Sequence, residues 1–249
     1  MKVSIITTVL SNRKCLSDAM ESVLNQVHDD IEYIIVDGGS TDGTVELIRS
    51  YGNKVTKFLT EPDEGMYDAL NKGIQMATGD IIAIINSDDF YVNRHVISQV
   101  VHAFEEHKCD AVYSNLYYIS NTDKEKIIRT WDAGRYHYDS FYKGWMPPHP
   151  AFFVKREVYQ KYGSFNTRLK LSADYELMLR FILKHKIKIY YLPKFFIKMR
   201  VGGNSNRNLT NRLKANMEDR EAWKINKIKP GFFTLLLKPF SKIFQYRMN

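Results

Sequence analysis

Disulfide chemistry has almost nothing to work with in this chain: two cysteines, Cys15 and Cys109, stand among 249 residues, and they share no CxxC spacing. Cys15 falls in an amphipathic stretch, so both thiols read as free and the chain as a reduced, cytoplasmic protein. Long apolar runs are missing too. Nothing approaches the roughly 20 residues that span a bilayer, and Met1–Thr8 is too short and too polar for a signal peptide. There is no GxxxxGK[ST], and the Gly38-Gly39 pair does not extend to GxGxxG, which sets aside P-loop ATPases and dinucleotide oxidoreductases. Apart from His149, the histidines show no zinc-type spacing. Acids are scarce in one region only: residues 184–249 hold 16 Lys/Arg against three acids, whereas residues 1–183 hold 20 against 25. Such asymmetry points to a tail that meets an anionic surface, membrane or nucleic acid; no nucleic-acid-binding module accompanies it, so nucleic acid is excluded as a partner.

What is present is a strand–helix rhythm. Val3–Val9 reads as a strand, and Leu16, Met20, Val23, Leu24 and Val27 follow at helical spacing. Tyr33-Ile34-Ile35-Val36 is a second apolar strand, closed by the turn formers Asp37 to Gly43, with a helix expected over 44–51. A short strand (55–59), a helix (66–77) and the run Ile81–Ile85 complete a β-α-β-α-β order that argues for a doubly wound, mostly parallel sheet. Further on, a strand over 110–118, a turn at Asn121-Thr122-Asp123, helices over 155–162 and 173–185, and a last strand over 188–192 are expected. Residues 1–118 form one half, 119–205 a second half with a smaller sheet region, and 206–249 a basic, helical C-terminal extension.

The run Ile81–Ile85 ends in Asn86-Ser87-Asp88-Asp89. Two adjacent carboxylates at the exit of a buried strand repel each other and must lose water together, which calls for a cation or a ring of donors. The carboxyl edge of a parallel sheet is where open α/β folds bind ligands, so the segment reads as a divalent-metal and phosphate site; a plain helix cap is the alternative. Thr7 and Thr8 end the first strand, Asp37 the second, and Asp63 lies beyond the third, so polar ends line up along one edge. A carboxylate there accepts from base N–H groups or ribose hydroxyls, and an oxygen pair suits Mg²⁺ or Mn²⁺.

Taken in order, Ser4-Ile5-Ile6-Thr7-Thr8, Val36 to Thr44, Glu61-Pro62-Asp63-Glu64-Gly65-Met66-Tyr67-Asp68-Ala69-Leu70-Asn71-Lys72-Gly73 and Asn86 to Asp89 resemble the family 2 glycosyltransferases of GT-A fold, of the bacterial type that builds surface polysaccharides. The resemblance covers residues 1–205 and implies an inverting, metal-dependent enzyme using nucleotide-diphosphate sugars, with a UDP-sugar first among donors. It places Thr7, Thr8 and Asp37 on base and ribose, Asp63, Asp68 and Asn71 on the donor side, Asp88 on ribose or metal, and Asp89 on metal and diphosphate. The family's acidic motif often begins with Asp, where this chain has Asn86.

Inversion requires a base for the acceptor hydroxyl. Asp174, in Ser172-Ala173-Asp174-Tyr175-Glu176, matches the family's base position; Glu176 is the reserve, and an N-cap role for Ser172 or Asp174 is the alternative. His149, among prolines, resembles a family position near the donor phosphates, or packs on Trp145. Arg200, with Gly202-Gly203-Asn204-Ser205, forms either a flap over the diphosphate or a turn. The aromatics from Trp131 to Trp145 form an acceptor wall or core. In the tail, Phe232, Phe233, Leu236, Leu237, Phe240, Ile243 and Phe244 recur at helical spacing among Lys229, Lys238, Lys242 and Arg247. That composition suits an anionic membrane surface over 229–247 and a lipid-linked glycan acceptor, or packing on the body or on a second copy. The expected protein is a glycosyltransferase at the inner face of the cell membrane; an inactive assembly subunit or a sugar-phosphate nucleotidyltransferase are its rivals.

Overall fold

The computed structural model describes residues 1–202, 209–231 and 234. Its centre is a nine-stranded sheet. Strands β1 (Val3–Val9), β2 (Ile31–Asp37), β3 (Lys57–Thr60) and β4 (Ile81–Ile84) lie in the order β3-β2-β1-β4, all parallel. The remaining strands are β5 (Phe90–Tyr91), β6 (Ala111–Ile119), β7 (Ile127–Trp131), β8 (Phe152–Lys155) and β9 (Ile189–Arg200). β8 joins β4 and β6 antiparallel, β9 runs parallel to β6, and β5 closes the edge against β9. β7 hairpins back onto the distal half of β6, giving the smaller sheet region.

The inner strands are apolar on both faces because both faces are covered. Leu16, Met20 and Val23 of α1 (Arg13–Leu24), Ile48 of α2 (Thr44–Ser50) and Val96 to Phe104 of α4 (Val96–His107) cover one face, meeting Ile5, Tyr33, Ile35 and Ala83. The other face, with Ile6, Ile34, Val36 and Ile84, lies under α3 (Met66–Met76), α5 (Arg156–Tyr162), α6 (Ala173–Met178) and α7 (Leu209–Ile225). Each fully buried Leu or Ile in these layers contributes roughly 1.5–3 kcal/mol. The first βαβ units follow the expected order closely, and the fold is the three-layer arrangement the alternation implies.

Three elements differ from expectation. β9 does not stop at Leu192. Pro193 cannot donate to a ladder, but the register shifts between the Tyr113 and Asn115 pairings, and the strand resumes to Arg200 beyond that bulge. The helix expected over 173–185 is regular only to Met178. Leu179–Lys184 continues it as a wider π-type turn, with His185 N–H reaching the Arg180 carbonyl at 3.0 Å. The C-terminal extension begins as part of the body: Ala222 and Trp223 of α7 are fully buried in the same core layer as α6. The terminal aromatics from Phe232 to Phe244, and Gly203, Asn204 and Ser205, lie outside the described residues. Among the described residues no helix is long and apolar enough to cross a membrane.

The amino ends of the strands are pinned by Glu32, which is 2% exposed. Its carboxylate accepts from Ser4 Oγ (2.6 Å), Thr78 N (2.8 Å) and Thr78 Oγ1 (2.8 Å), and pairs with Lys57 at 2.8 Å. Burial alone would raise its pKa, but Lys57, Ser4 and Thr78 together bring it down to about 2 from 4.5. A folded value below the unfolded one adds stability that is complete above pH 4.5 and lost as pH falls toward 2. Lys57 is a third exposed, so solvent screens the pair. Glu32→Gln is expected to cost about 2 kcal/mol at neutral pH. Urea unfolding of both proteins at pH 7 and pH 3 should show that gap narrowing in acid; an equal gap at both would contradict this account.

Candidate active site

Beyond β4 the chain keeps pairing for one residue, Ile85 N–H to the Ile6 carbonyl at 3.0 Å, and then turns, with Asp89 N–H on the Asn86 carbonyl at 3.1 Å. The turn sends its two carboxylates different ways. Asp89 goes inside, 1% exposed, where Oδ2 accepts from Asn86 Nδ2 at 2.8 Å and Oδ1 from Arg200 N at 3.3 Å. Burial, reinforced by Asp88, pushes its pKa well above the ordinary carboxylate range. Asp88 is half-buried, and among the described residues no other side chain donates to its carboxylate; burial raises its pKa too, against the pull of Arg200 and His149. Arg200 is the last residue of β9, 6% exposed, and its guanidinium is occupied by Asp18 and the Asp88 carbonyl. It fastens the acidic turn from beneath.

The neighbouring strand ends supply the rest of the edge. Asp37 closes β2 fully buried, and its Oδ2 accepts from Gly39 N (3.0 Å), Ser40 N (3.0 Å) and Thr60 Oγ1 (2.7 Å). Its Oδ1 is buried with no hydrogen-bond partner among the described residues. A Cβ on Gly38 would come 2.4 Å from Asp63 Oδ2, so Asp63 lies directly against the Asp37 turn. Asp63 Oδ1 accepts from Gly65 N at 2.8 Å, opening α3. Asp68 is engaged by Glu64 N (3.2 Å) and Lys72 (3.4 Å). Thr8 is 8% exposed at the same edge. Thr7 faces the other layer, its hydroxyl 3.1 Å from Tyr33 OH. Asn71 uses both ends of its amide on one residue, donating to the Phe165 carbonyl and accepting from Phe165 N, each at 2.9 Å. It is therefore a clamp on the loop before α6.

Asp174 sits in the first turn of α6 but does not cap it. Its Oδ1 accepts from Tyr67 OH at 3.2 Å, and its Oδ2 stands 3.3 Å from His149 Nδ1. Burial lowers the pKa of His149, against the opposing pull of Asp174 and Asp88. Trp145 turns elsewhere, edge-on to Tyr113 and Phe141. Glu176 is fully occupied by Arg180 (3.1 and 3.0 Å) and Asn226 (3.0 Å). Tyr67, Leu70, Asn86, His149, Phe165 and Asp174 line one cleft. Most of the Trp131–Trp145 aromatics are core: Phe141 is fully buried and Trp131 9% exposed, while Tyr138 is 66% exposed.

Tyr67 was not singled out by the sequence, because its partner is 107 residues away. A phenol on the expected α3 face, stacked on Phe165 with centroids 5.4 Å apart, reads as core until Asp174 is seen against it. Among the described residues no group of three or more His, Cys, Asp or Glu is arranged to hold a metal ion.

The family model described as Glycosyl transferase family 2 matches residues 4–163. A PGL/p-HBAD biosynthesis glycosyltransferase of Mycobacterium tuberculosis is 28% identical over 181 residues, 71% of this chain and 68% of the relative. An uncharacterized glycosyltransferase of Methanocaldococcus jannaschii is 25% identical over 210 residues, 81% of this chain and 71% of the relative. The fold superposes on residues 1–349 of S. aureus TarS in complex with UDP-GlcNAc (TM-score 0.70, 16% identity, covering 91% of this chain and 65% of that one). This chain spans 43% of the longer TarS chain. It also superposes on the mannosyltransferase PcManGT of Pyrobaculum calidifontis in complex with GDP-Man and Mn²⁺ (TM-score 0.67, 17% identity, covering 95% and 68%). With the acidic strand exit and the GT-A architecture both in place, the chain belongs to glycosyl transferase family 2.

Proposed function

We propose that this glycosyltransferase inverts the anomeric centre of a nucleotide-diphosphate sugar, a UDP-sugar first among donors, while transferring it to a hydroxyl of a growing, lipid-linked glycan. The observation that carries this reading is the setting of Asp174. A carboxylate in a helix's first turn would ordinarily cap it, yet this one is turned onto Tyr67 and His149 at the cleft. In the transfer, Asp174 takes the proton of the acceptor hydroxyl as that oxygen bonds to the anomeric carbon, and the bond to the diphosphate oxygen breaks on the opposite face. Tyr67 and His149 hold the carboxylate in place. Asp37 supports the turn at the strand edge, and Asp63 lies beside that turn for the ribose.

Asp88, more than Asp89, fits a divalent cation. Among the described residues no other side chain donates to its carboxylate, and burial disfavours its charge, whereas both oxygens of Asp89 accept hydrogen bonds. Mg²⁺ and Mn²⁺ are commonly held by one or two carboxylates together with substrate phosphates, so a three-ligand protein cage is not needed. When bound, such an ion neutralises charge on the leaving diphosphate. The TarS and PcManGT complexes, with UDP-GlcNAc and with GDP-Man and Mn²⁺, support donor and ion as classes. Tyr138, exposed and 6.3 Å from Tyr142, offers a ring face to an acceptor sugar. The basic, aromatic composition of 229–247 supports a peripheral membrane location.

The test is nucleoside-diphosphate release from UDP-, GDP- and dTDP-sugars with Mn²⁺ or Mg²⁺ and lipid-linked acceptors. One donor should turn over, with Asp174→Asn lowering kcat by about 10²–10⁴ and Asp88→Asn removing the ion dependence. Full activity of Asp174→Asn would end the reading. Asp89→Ala should act differently. It strands Asn86 Nδ2 and Arg200 N–H, costing about 1–3 kcal/mol each when buried, so its thermal midpoint should fall clearly below that of Asp88→Asn.

A further inference from the structure

The base-bearing helix α6 and its π-type continuation span only 173–184, too short to be stable by their own hydrogen bonds. Its N-terminal flanking residue, Ser172, makes no side-chain cap; the hydroxyl instead donates to the Ala215 carbonyl of α7 at 3.2 Å. The backbone leading into α6 is held by a carboxylate from that same distant helix. Glu218 Oε2 accepts from Leu171 N (2.7 Å) and Ser172 N (2.9 Å), and Oε1 accepts from Lys170 N (3.1 Å). Charge-assisted bonds of this kind are about twice as strong as neutral ones. Asp174's own side-chain contacts, at 3.2 and 3.3 Å, are long for an ionised acceptor. Those contacts orient the carboxylate, and the backbone behind it sets where it stands.

We propose that Glu218 is a positioning residue for the transfer reaction: by fixing the Lys170–Ser172 backbone it fixes Asp174, and α7 thereby belongs to the catalytic apparatus without lining the cleft. The inference rests on the reading of Asp174 as the base. The rest of α7 serves the same end. Trp223 Nε1 donates to Tyr175 OH at 3.0 Å, and Asn226 Nδ2, one residue past α7, to Glu176 Oε1 at 3.0 Å, so with Ser172 on Ala215 both sides of Asp174 are tied to α7 or its end. On the far side the loop is held to α3 by Asn71 on Phe165 and by Lys170 Nζ on the Glu64 carbonyl at 3.0 Å. No donor-side strand end depends on Glu218, so its loss should misplace the base alone.

The experiment compares wild type, Glu218→Ala, Glu218→Gln and, as an exposed neighbour on the same helix, Glu221→Ala, each as the full chain. In Glu218→Ala, kcat should fall about ten- to a hundredfold, the scale expected of a base displaced by an ångström or less. Donor KM and nucleoside-diphosphate affinity should stay within about twofold of wild type, since no donor contact changes. Glu218→Gln, which keeps one acceptor oxygen, should recover part of kcat, and Glu221→Ala should match wild type. Amide hydrogen exchange should quicken in the peptide over 166–178 and not in that over 81–91. Unchanged kcat in Glu218→Ala, or donor KM rising as kcat falls, overturns the proposal. If Glu218→Ala does not fold, Glu218→Gln decides: kcat below wild type at constant donor KM supports the proposal, and wild-type kcat refutes it. A wild-type chain that turns over no donor sinks the glycosyl-transfer reading instead. The exchange comparison then still judges Glu218, because unchanged protection of 166–178 would show that it holds nothing.

Discussion

A carboxylate taken almost wholly out of water must be surrounded by donors, and Asp89 meets that demand by drawing two remote parts of the chain together. Its Asn86 partner lies in the same turn, but its backbone partner, Arg200, is 111 residues further on. The arginine that supplies this N–H also holds the Asp88 carbonyl and Asp18, so α1, the exit of β4 and the end of β9 meet at one point. β5 begins one residue after Asp89, and β9 ends at Arg200, so both strands abut that knot. The partition of the two acids, one inward and one outward, follows from the same requirement, since a single backbone N–H and one amide can satisfy only one of them.

The opposite wall of the cleft is organised by polar contacts of another kind. Asn71 reads the backbone of Phe165 in both directions, Tyr67 stacks on that ring and reaches Asp174, and α7 takes hold of the helix behind it. Each contact joins segments far apart in sequence, and each is between groups that would be costly to leave unpaired. The two walls are joined by His149, which stands beside Asp174 and within the field of Asp88.

The acidic exit of β4 was legible because its parts are adjacent: five apolar residues, then a polar turn, then two acids. The parallel order of β1 to β4 was legible for the same reason, since each βα unit is local. What escaped the sequence is whatever depends on a distant partner. Asp174 as a cap and Asp174 as a cleft residue have the same local sequence, and only Tyr67 and His149 separate them. Asp88 and Asp89 look interchangeable until Arg200 N is placed beside one of them. Pro193 ends a strand by every local rule, yet β6 is long enough to resume pairing beyond the bulge. Arg200 was read with the glycines that follow it, although the strand that precedes it decides its place. In the extension, charge dominated the reading, and the two buried residues Ala222 and Trp223 were outweighed by the many exposed ones around them.

The tie between α7 and the loop before α6 also orders events in time. Synthesis proceeds from the amino end, and the four parallel strands that shape the donor side are complete, with short connections between them, once residue 84 has been added. The acidic knot closes only when Arg200 arrives, and the loop carrying Asp174 is not held until residues 215–226 have emerged. A growing chain therefore completes its four parallel strands first, its acidic turn second and the loop carrying Asp174 last. Until α7 docks, the strand-end acids already stand in place while the carboxylate across the cleft from them is still unheld.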